Sequence, residues 1–235
     1  MNNLENIRFE LRTLENPEKA KNLQRFFKTK PGEYGYGDVF LGLTSKEIKD
    51  IAKKYSDLSF QELHELLNSK IHEDRVCALR ILTNKFKKAK RDNLKRREIF
   101  EFYLKNTGKI NNWDLVDLSA PDIVGEFLEL GNREMLKELA KSKILWERRI
   151  AIVSTYTFIK KRSFGETLAI ADILLNDEHD LIHKAVGWML REVGKRNKEV
   201  LELFLSQRYK NMPRTMLRYS IEKFPEEERK KWLAK

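Results

Sequence analysis

The sequence predicts an all-α protein, a solenoid of stacked helical pairs, on three observations. Apolar residues recur at helical spacing through nearly the whole chain, and no stretch of useful length alternates with period two. Helix-starting and helix-stopping residues stand between the periodic runs. Similar segments return at steps of roughly 35 to 37 residues, the period of helical-pair arrays, in which no single pair can bury its apolar face alone.

The first helix is expected over residues 4–14. Asn16-Pro17 stops it and starts the next, 17–27, because proline lacks the N–H that the first helical position leaves unused. Residues 28–43 form a glycine-rich loop holding Gly32, Gly35, Gly37 and Gly42. It has neither the Gly-Lys-Ser/Thr of a P-loop nor the strand–helix setting of a dinucleotide fingerprint. It reads as a structured connection that needs positive φ, and whether it touches a ligand stays open. Thr44 and Ser59 cap helices 45–55 and 60–68, each with a glutamate three residues on (Glu47, Glu62) to complete a capping box. Helices follow over 73–88, 91–105, 112–118, 121–130, 133–142, 146–161, 164–175, 181–195 and 198–207. Pro121 is expected to break or kink the chain after Ser119, itself able to serve as a cap. The segment from about 213 to 235 reads as a polar cap on the last repeat, and residues 1–235 as a single repeat domain.

The formal net charge is +11, which suggests a polyanionic partner, either nucleic acid or an acidic membrane surface. The 36 acidic residues rule out a simple polybasic tail, so the excess must be segregated on one surface to matter. No apolar run approaches a membrane span, and Met1 to Glu5 does not begin a signal peptide. The single cysteine, Cys77, allows no intrachain disulfide and fits a reducing cytosol; a cytoplasmic protein is expected. His64, His72, His179 and His183 have no metal-ligand spacing, and no metal or cofactor is expected. Aligning Glu73 to Leu79 with Glu147 to Val153 and with Leu181 to Trp188 places Arg75, Arg149 and Lys184 in the first turns of inner helices. There they would form a concave basic face.

The chemistry centres on Trp113-Asp114-Leu115-Val116-Asp117. At a helix start, Trp113 and Asp117 share one face, a turn apart, while Asp114 points elsewhere and complements the macrodipole. Alone, the pair reads as a core tryptophan beside a solvated or capping aspartate. Two later segments supply companions: Arg149 in Leu145-Trp146-Glu147-Arg148-Arg149, and Trp188 with Arg191 at i, i+3. Guanidinium groups suit phosphates and indole faces suit sugars or bases. A carboxylate among them suits positive charge that develops during a reaction.

These runs resemble the AlkD-like DNA alkylation repair glycosylases, a family built of HEAT-like repeats. The resemblance covers almost the whole chain: Asn16-Pro17-Glu18-Lys19-Ala20, Phe40-Leu41-Gly42, Trp113 to Asp117, Trp146 to Ala151, and Lys184 to Glu192. It implies a right-handed superhelical solenoid with a concave basic groove. It also implies a monomer that hydrolyses the N-glycosidic bond of cationic N3- or N7-alkylated purines in double-stranded DNA. By the same resemblance Asp117 is the catalytic carboxylate, stabilising the oxocarbenium ion and the attacking water. Trp113 and Trp188 are the walls against the deoxyribose, and Arg149 and Arg191 hold the DNA backbone, with Lys184 and Arg75 added by the repeat alignment. Two positions depart from the family's pattern: Phe26 stands for a tyrosine and Thr157 for a lysine. No lysine is placed for a Schiff base, and no second acid is expected beside Asp117, with Glu192 facing a neighbouring helix. Two other readings stay open, a non-catalytic binder of branched or damaged DNA and a scaffold for an acidic protein. Asp117 separates the glycosylase from the non-catalytic DNA binder, since a mere binder gains nothing from an anion in its groove.

Overall fold

The protein is described by a computed structural model for residues 3–129 and 131–234. Leu130 at the end of expected helix 121–130, Met1 and Asn2 at the N-terminus, and Lys235 of the C-terminal cap lie outside the described residues. The chain falls into two compact units, Met1–Ser119 and Ala120–Lys235. The described residues are overwhelmingly helical, with one isolated parallel bridge between Val39 and Ile71 and no strand.

The first unit holds α1 (Asn3–Thr13), α2 (Pro17–Phe26), α3 (Ser45–Lys54), α4 (Phe60–Leu67), α5 (His72–Lys88), α6 (Asn93–Lys105) and α7 (Trp113–Ala120), whose last residue opens the second unit. Asn16 caps α2 by accepting the Lys19 N–H at 3.0 Å, with Pro17 in the first turn. Both expected capping boxes form, Thr44 with Glu47 and Ser59 with Glu62; each cap stabilises its helix by about 1 kcal/mol. Helices α3 and α4 pack on α5. They bury Ile48, Ile51, Leu63, Leu66 and Leu67, each side chain contributing roughly 1.5–3 kcal/mol. So much of α5 is covered that its polar first turn, His72 to Arg75, is buried as well. Its Cys77 is a free thiol, pushed up to about 12 by burial and then by the charge of Asp74. In the glycine-rich loop Gly42 has φ +88°, and a Cβ there would meet the Asn16 carbonyl oxygen at 2.3 Å. Only glycine lets the loop close on the start of α2.

At Pro121, where a break or kink is expected, the α-helical ladder ends but the chain does not leave the helix. Residues Pro121–Gly125 form a π-turn instead, leading without a cap into α8 (Glu126–Leu128). The wider turn accommodates a residue that has no N–H and would clash with the preceding turn. Ser119 is accordingly no cap: its hydroxyl bonds back to the Leu115 carbonyl at 2.5 Å inside α7. The Pro121 carbonyl takes the Glu126 N–H across this wider turn and a second bond from the buried Thr157 hydroxyl at 2.7 Å.

The second unit continues with α9 (Glu134–Ala140), α10 (Leu145–Ser154), α11 (Tyr156–Lys160), α12 (Gly165–Ile173), α13 (Asp180–Gly194), α14 (Lys198–Arg208), α15 (Arg214–Ser220) and α16 (Glu226–Leu233). The expected helix 146–161 is two helices. Ser154 and Thr155 bond back to the carbonyls of Ile150 (2.6 Å) and Ile152 (2.7 Å), and the ladder breaks between them. Helix α13 is the hub, packed by α10, α12, α14 and α15. Gly187 makes this possible, since a Cβ there would lie 2.4 Å from Tyr219 Cβ on α15. No helix among the described residues is long and apolar enough to cross a membrane.

Candidate active site

Helix α7 carries Trp113, Asp114 and Asp117, and its first turn is held from two sides. Asn112 Oδ1 accepts the Trp113 N–H at 2.8 Å, and Asn112 Nδ2 donates to Asp38 Oδ2 at 3.1 Å. Asp114 Oδ2 lies 2.8 Å from His72 Nε2, while its Oδ1 accepts the Leu115 N–H at 2.9 Å. Asp38 also meets His72 Nδ1 at 3.3 Å and Arg75 Nη2 at 2.6 Å. The glycine-rich loop, the first turn of α5 and the first turn of α7 therefore meet in one buried polar network. Burial alone would raise Asp38, but the bonds from His72, Arg75 and Asn112 outweigh it and hold its carboxyl below the ordinary value. Burial alone would depress His72, but Asp114 and Asp38 outweigh it and raise the imidazole.

A run of stacked rings connects this network to the indole. Phe40 stacks on His72 at 4.5 Å, Phe27 on Phe40 at 4.9 Å, and Trp113 on Phe27 at 5.0 Å with the planes 9° apart. Phe26 meets Trp113 edge-on at 5.9 Å and remains 64% exposed, so the departure at this position still presents an aromatic ring. Trp113 and Asp117 open together on a cavity of about 360 Å³, whose other polar groups are Ser45, His72, Glu73, Arg80 and Asp114.

Several expectations change here. Asp114 does not point away from Asp117 but lines the same cavity, because His72 draws its carboxylate back toward α5. Two acids besides Asp117 thus border the cavity, where none was expected. Both are already engaged: Asp114 as above, and Glu73 by the backbone N–H groups of Leu41 (2.9 Å), Gly42 (2.8 Å) and Leu43 (3.3 Å). Arg75 is not displayed on a basic face; it is 5% exposed, tied to Asp38 and to the Ser69 carbonyl at 3.2 Å. Arg149 on α10 is also 5% exposed, and its Nη1 donates to the Leu181 carbonyl at 2.7 Å. Both arginines satisfy internal acceptors, which leaves them poorly placed for phosphate.

The remaining candidates lie on α13. Trp188 is half-buried, tilted against Tyr156 at 6.1 Å. Arg191 is ion-paired with Glu222, and the half-exposed Lys184 with Asp180 at 2.6 Å. Glu192 is buried and binds Lys195 (2.6 Å) and Arg196 (3.0 Å), just past the end of its own helix. Burial would raise its carboxyl, but those two cations outweigh it and hold it low, a poor setting for a general acid. Thr157, where the family pattern has a lysine, is fully buried and serves the π-turn. Among the described residues no group of three or more His, Cys, Asp or Glu side chains could hold a metal ion.

Sequence reasoning missed His72, Asp38 and Arg80. The available signal was the crowd His72-Glu73-Asp74-Arg75 ahead of an apolar helix, more polar than a solvated first turn needs.

The family described as DNA alkylation repair enzyme matches residues 7–224. Among solved structures, a predicted DNA alkylation repair enzyme from Enterococcus faecalis superposes with a TM-score of 0.70 at 19% identity, covering 90% of this chain and 97% of that one. AlkD2 from Streptococcus mutans superposes with a TM-score of 0.56 at 18% identity, covering 89% and 99%. At these identities the two structures speak for the fold alone. No curated protein matches the chain by sequence.

Proposed function

Since the chain belongs to the DNA alkylation repair enzyme family, we propose that it hydrolyses the N-glycosidic bond of cationic N3- and N7-alkylated purines in duplex DNA. The observation that carries this reading is the pairing of Trp113 and Asp117, one turn apart on α7 and open to the same cavity.

Alkylation at N3 or N7 gives the purine a positive charge and makes it a good leaving group. As the C1′–N bond lengthens, its electron pair neutralises the departing base and positive charge moves to the sugar. The carboxylate of Asp117 stabilises that charge and orients a water, whose oxygen bonds to C1′ as its proton passes through that carboxylate to solvent. The Trp113 face favours a cationic partner by about 0.5–2 kcal/mol, depending on desolvation. Trp188, Arg191 and Lys184 on α13 are proposed to contact the DNA; Arg75 and Arg149 are not.

The test is single-turnover base release from duplexes that each carry one lesion. Wild-type protein is expected to release 7-methylguanine and 3-methyladenine, with little or no release of neutral 1,N6-ethenoadenine or hypoxanthine. Asp117→Asn should keep fold and DNA binding and lose on the order of 10²-fold or more in rate. Excision by the variant at the wild-type rate refutes the assignment. Comparable rates on neutral and cationic bases mean that a general acid operates.

A further inference from the structure

We propose that His72 is a positioning residue for this site, holding Asp117 and Trp113 in place through Asp114 on the first turn of α7. The inference rests on the glycosylase reading for its kinetic arm only. Its basis is the span of one ring: Nε2 lies 2.8 Å from Asp114 of α7 and Nδ1 3.3 Å from Asp38 of the glycine-rich loop. The side chain is 3% exposed, so little water can replace either partner. Asp114 follows Trp113 directly and precedes Asp117 by three residues, so a rotation of this first turn moves both. Glu73, the next residue of α5, binds the backbone of Leu41 to Leu43. Adjacent residues of one helix start thus fix the loop and α7.

The ring's protonation matters because a carboxylate only accepts hydrogen bonds. Bonding to both Asp38 and Asp114 requires both ring nitrogens to donate, which only the imidazolium does. The charged groups that face the ring are Asp38 from the loop, Arg75 from its own helix and Asp114 from α7; Asn112 joins through Asp38. Once the proton leaves, one of the two bonds is lost, and Nδ1 becomes an acceptor for Arg75 Nη2, 3.3 Å away. Excision should therefore fall as pH rises through the His72 pKa, which the two carboxylates hold above its ordinary value against the effect of burial.

The experiment compares the pH dependence of single-turnover 7-methylguanine release by the wild-type protein and His72→Gln. A glutamine keeps one donor but does not titrate. The expected result is an alkaline fall in the wild type, absent from His72→Gln, whose rate is flat and roughly tenfold lower, the scale of one lost hydrogen bond, with DNA affinity unchanged. Identical pH profiles overturn the proposal. A second measurement needs no excision and covers the case in which His72→Gln fails to fold. In protein with labelled histidine, the His72 ring should titrate above its ordinary range by NMR, and Asp114→Asn should bring it down. A ring indifferent to Asp114→Asn also overturns the proposal. A wild type that releases no base, while the ring responds to Asp114→Asn, sinks the glycosylase reading and supports the His72–Asp114 anchor.

Discussion

The starts of α5 and α10 are built alike and connected differently. Ahead of α5, Ser69 Oγ accepts the Ile71 N–H at 3.1 Å and donates to Asp74 at 2.7 Å, while the Ser69 carbonyl takes Arg75. Ahead of α10, Ser142 Oγ accepts the Ile144 N–H at 3.0 Å and donates to Glu147 at 2.5 Å, while the Ser142 carbonyl takes Arg148 at 3.0 Å. The pattern returns before α13, where Asp177 accepts the His179 N–H at 2.9 Å and its carbonyl meets His183 Nε2. By hydrogen bonding, Arg75, Arg148 and His183 are equivalent positions. The sequence alignment of Arg75 with Arg149 and Lys184 is one residue late at the second and third places. One residue turns a helical side chain by about 100°, so Arg149 and Lys184 correspond to Val76 rather than to Arg75. The outward connections differ as well. Arg75 reaches Asp38 in the glycine-rich loop, whereas Arg148 reaches Asp177 of the following repeat at 2.6 Å. Positive charge in these boxes is structural, and part of the +11 is spent inside the molecule.

Substituting the equivalent arginines tests this difference most strongly. Arg75→Ala leaves Asp38 buried with a missing cation and should cost about 3–5 kcal/mol in urea denaturation. Arg148→Ala should cost less, roughly 1–3 kcal/mol, since Arg148 is more exposed and Asp177 keeps the His179 N–H. Equal losses would erase the distinction between the two starts.

A smaller effect lies in pH. Asp38 is held below 3.8, so its contribution to stability is present above that value and is lost as pH falls through the folded-state value. His72 is raised above 6.5, so its contribution is complete below 6.5 and is lost as pH rises through the raised value. Urea midpoints should therefore be highest between about 4 and 6.5 for this network, and Asp38→Asn should remove its acid limb. An acid limb unchanged by that substitution would place it elsewhere.

The smallest effect belongs to the position outside the boxes. If about four to six phosphates are neutralised, the log–log salt slope for DNA binding should be near −4 to −5. Lys184→Ala should reduce it by about 1 with little change in urea midpoint. Arg75→Ala should leave the slope alone, and a slope that moved with Arg75 instead would reverse the assignment of internal and external charge.

What the sequence made legible was local. Asn16, Thr44 and Ser59 announced their helices because a cap is settled within three residues. The shared face of Trp113 and Asp117 followed from helical spacing, and they line one cavity. The network behind them was illegible because His72 lies 34 residues from Asp38 and 42 from Asp114, and nothing in the local pattern pairs them. The fate of Arg75 and Arg149 was hidden for a similar reason. An arginine at a helix start looks the same whether it faces solvent or an internal carbonyl supplied from elsewhere in the chain. The change of helix at Pro121 was legible because proline lacks an N–H, but its form as a π-turn was not, since the Thr157 hydroxyl that braces it comes from 36 residues away.

The burial of Cys77 gives the first unit a built-in clock. It is the chain's single cysteine, and its thiol is both covered and held protonated. A thiol-labelling reagent can reach it only when α5 opens, so the labelling rate in native buffer reports how often that opening occurs. No engineered probe is required. Each substitution around the network, from Arg75→Ala to His72→Gln, then has its local cost written in the time the protein takes to become labelled.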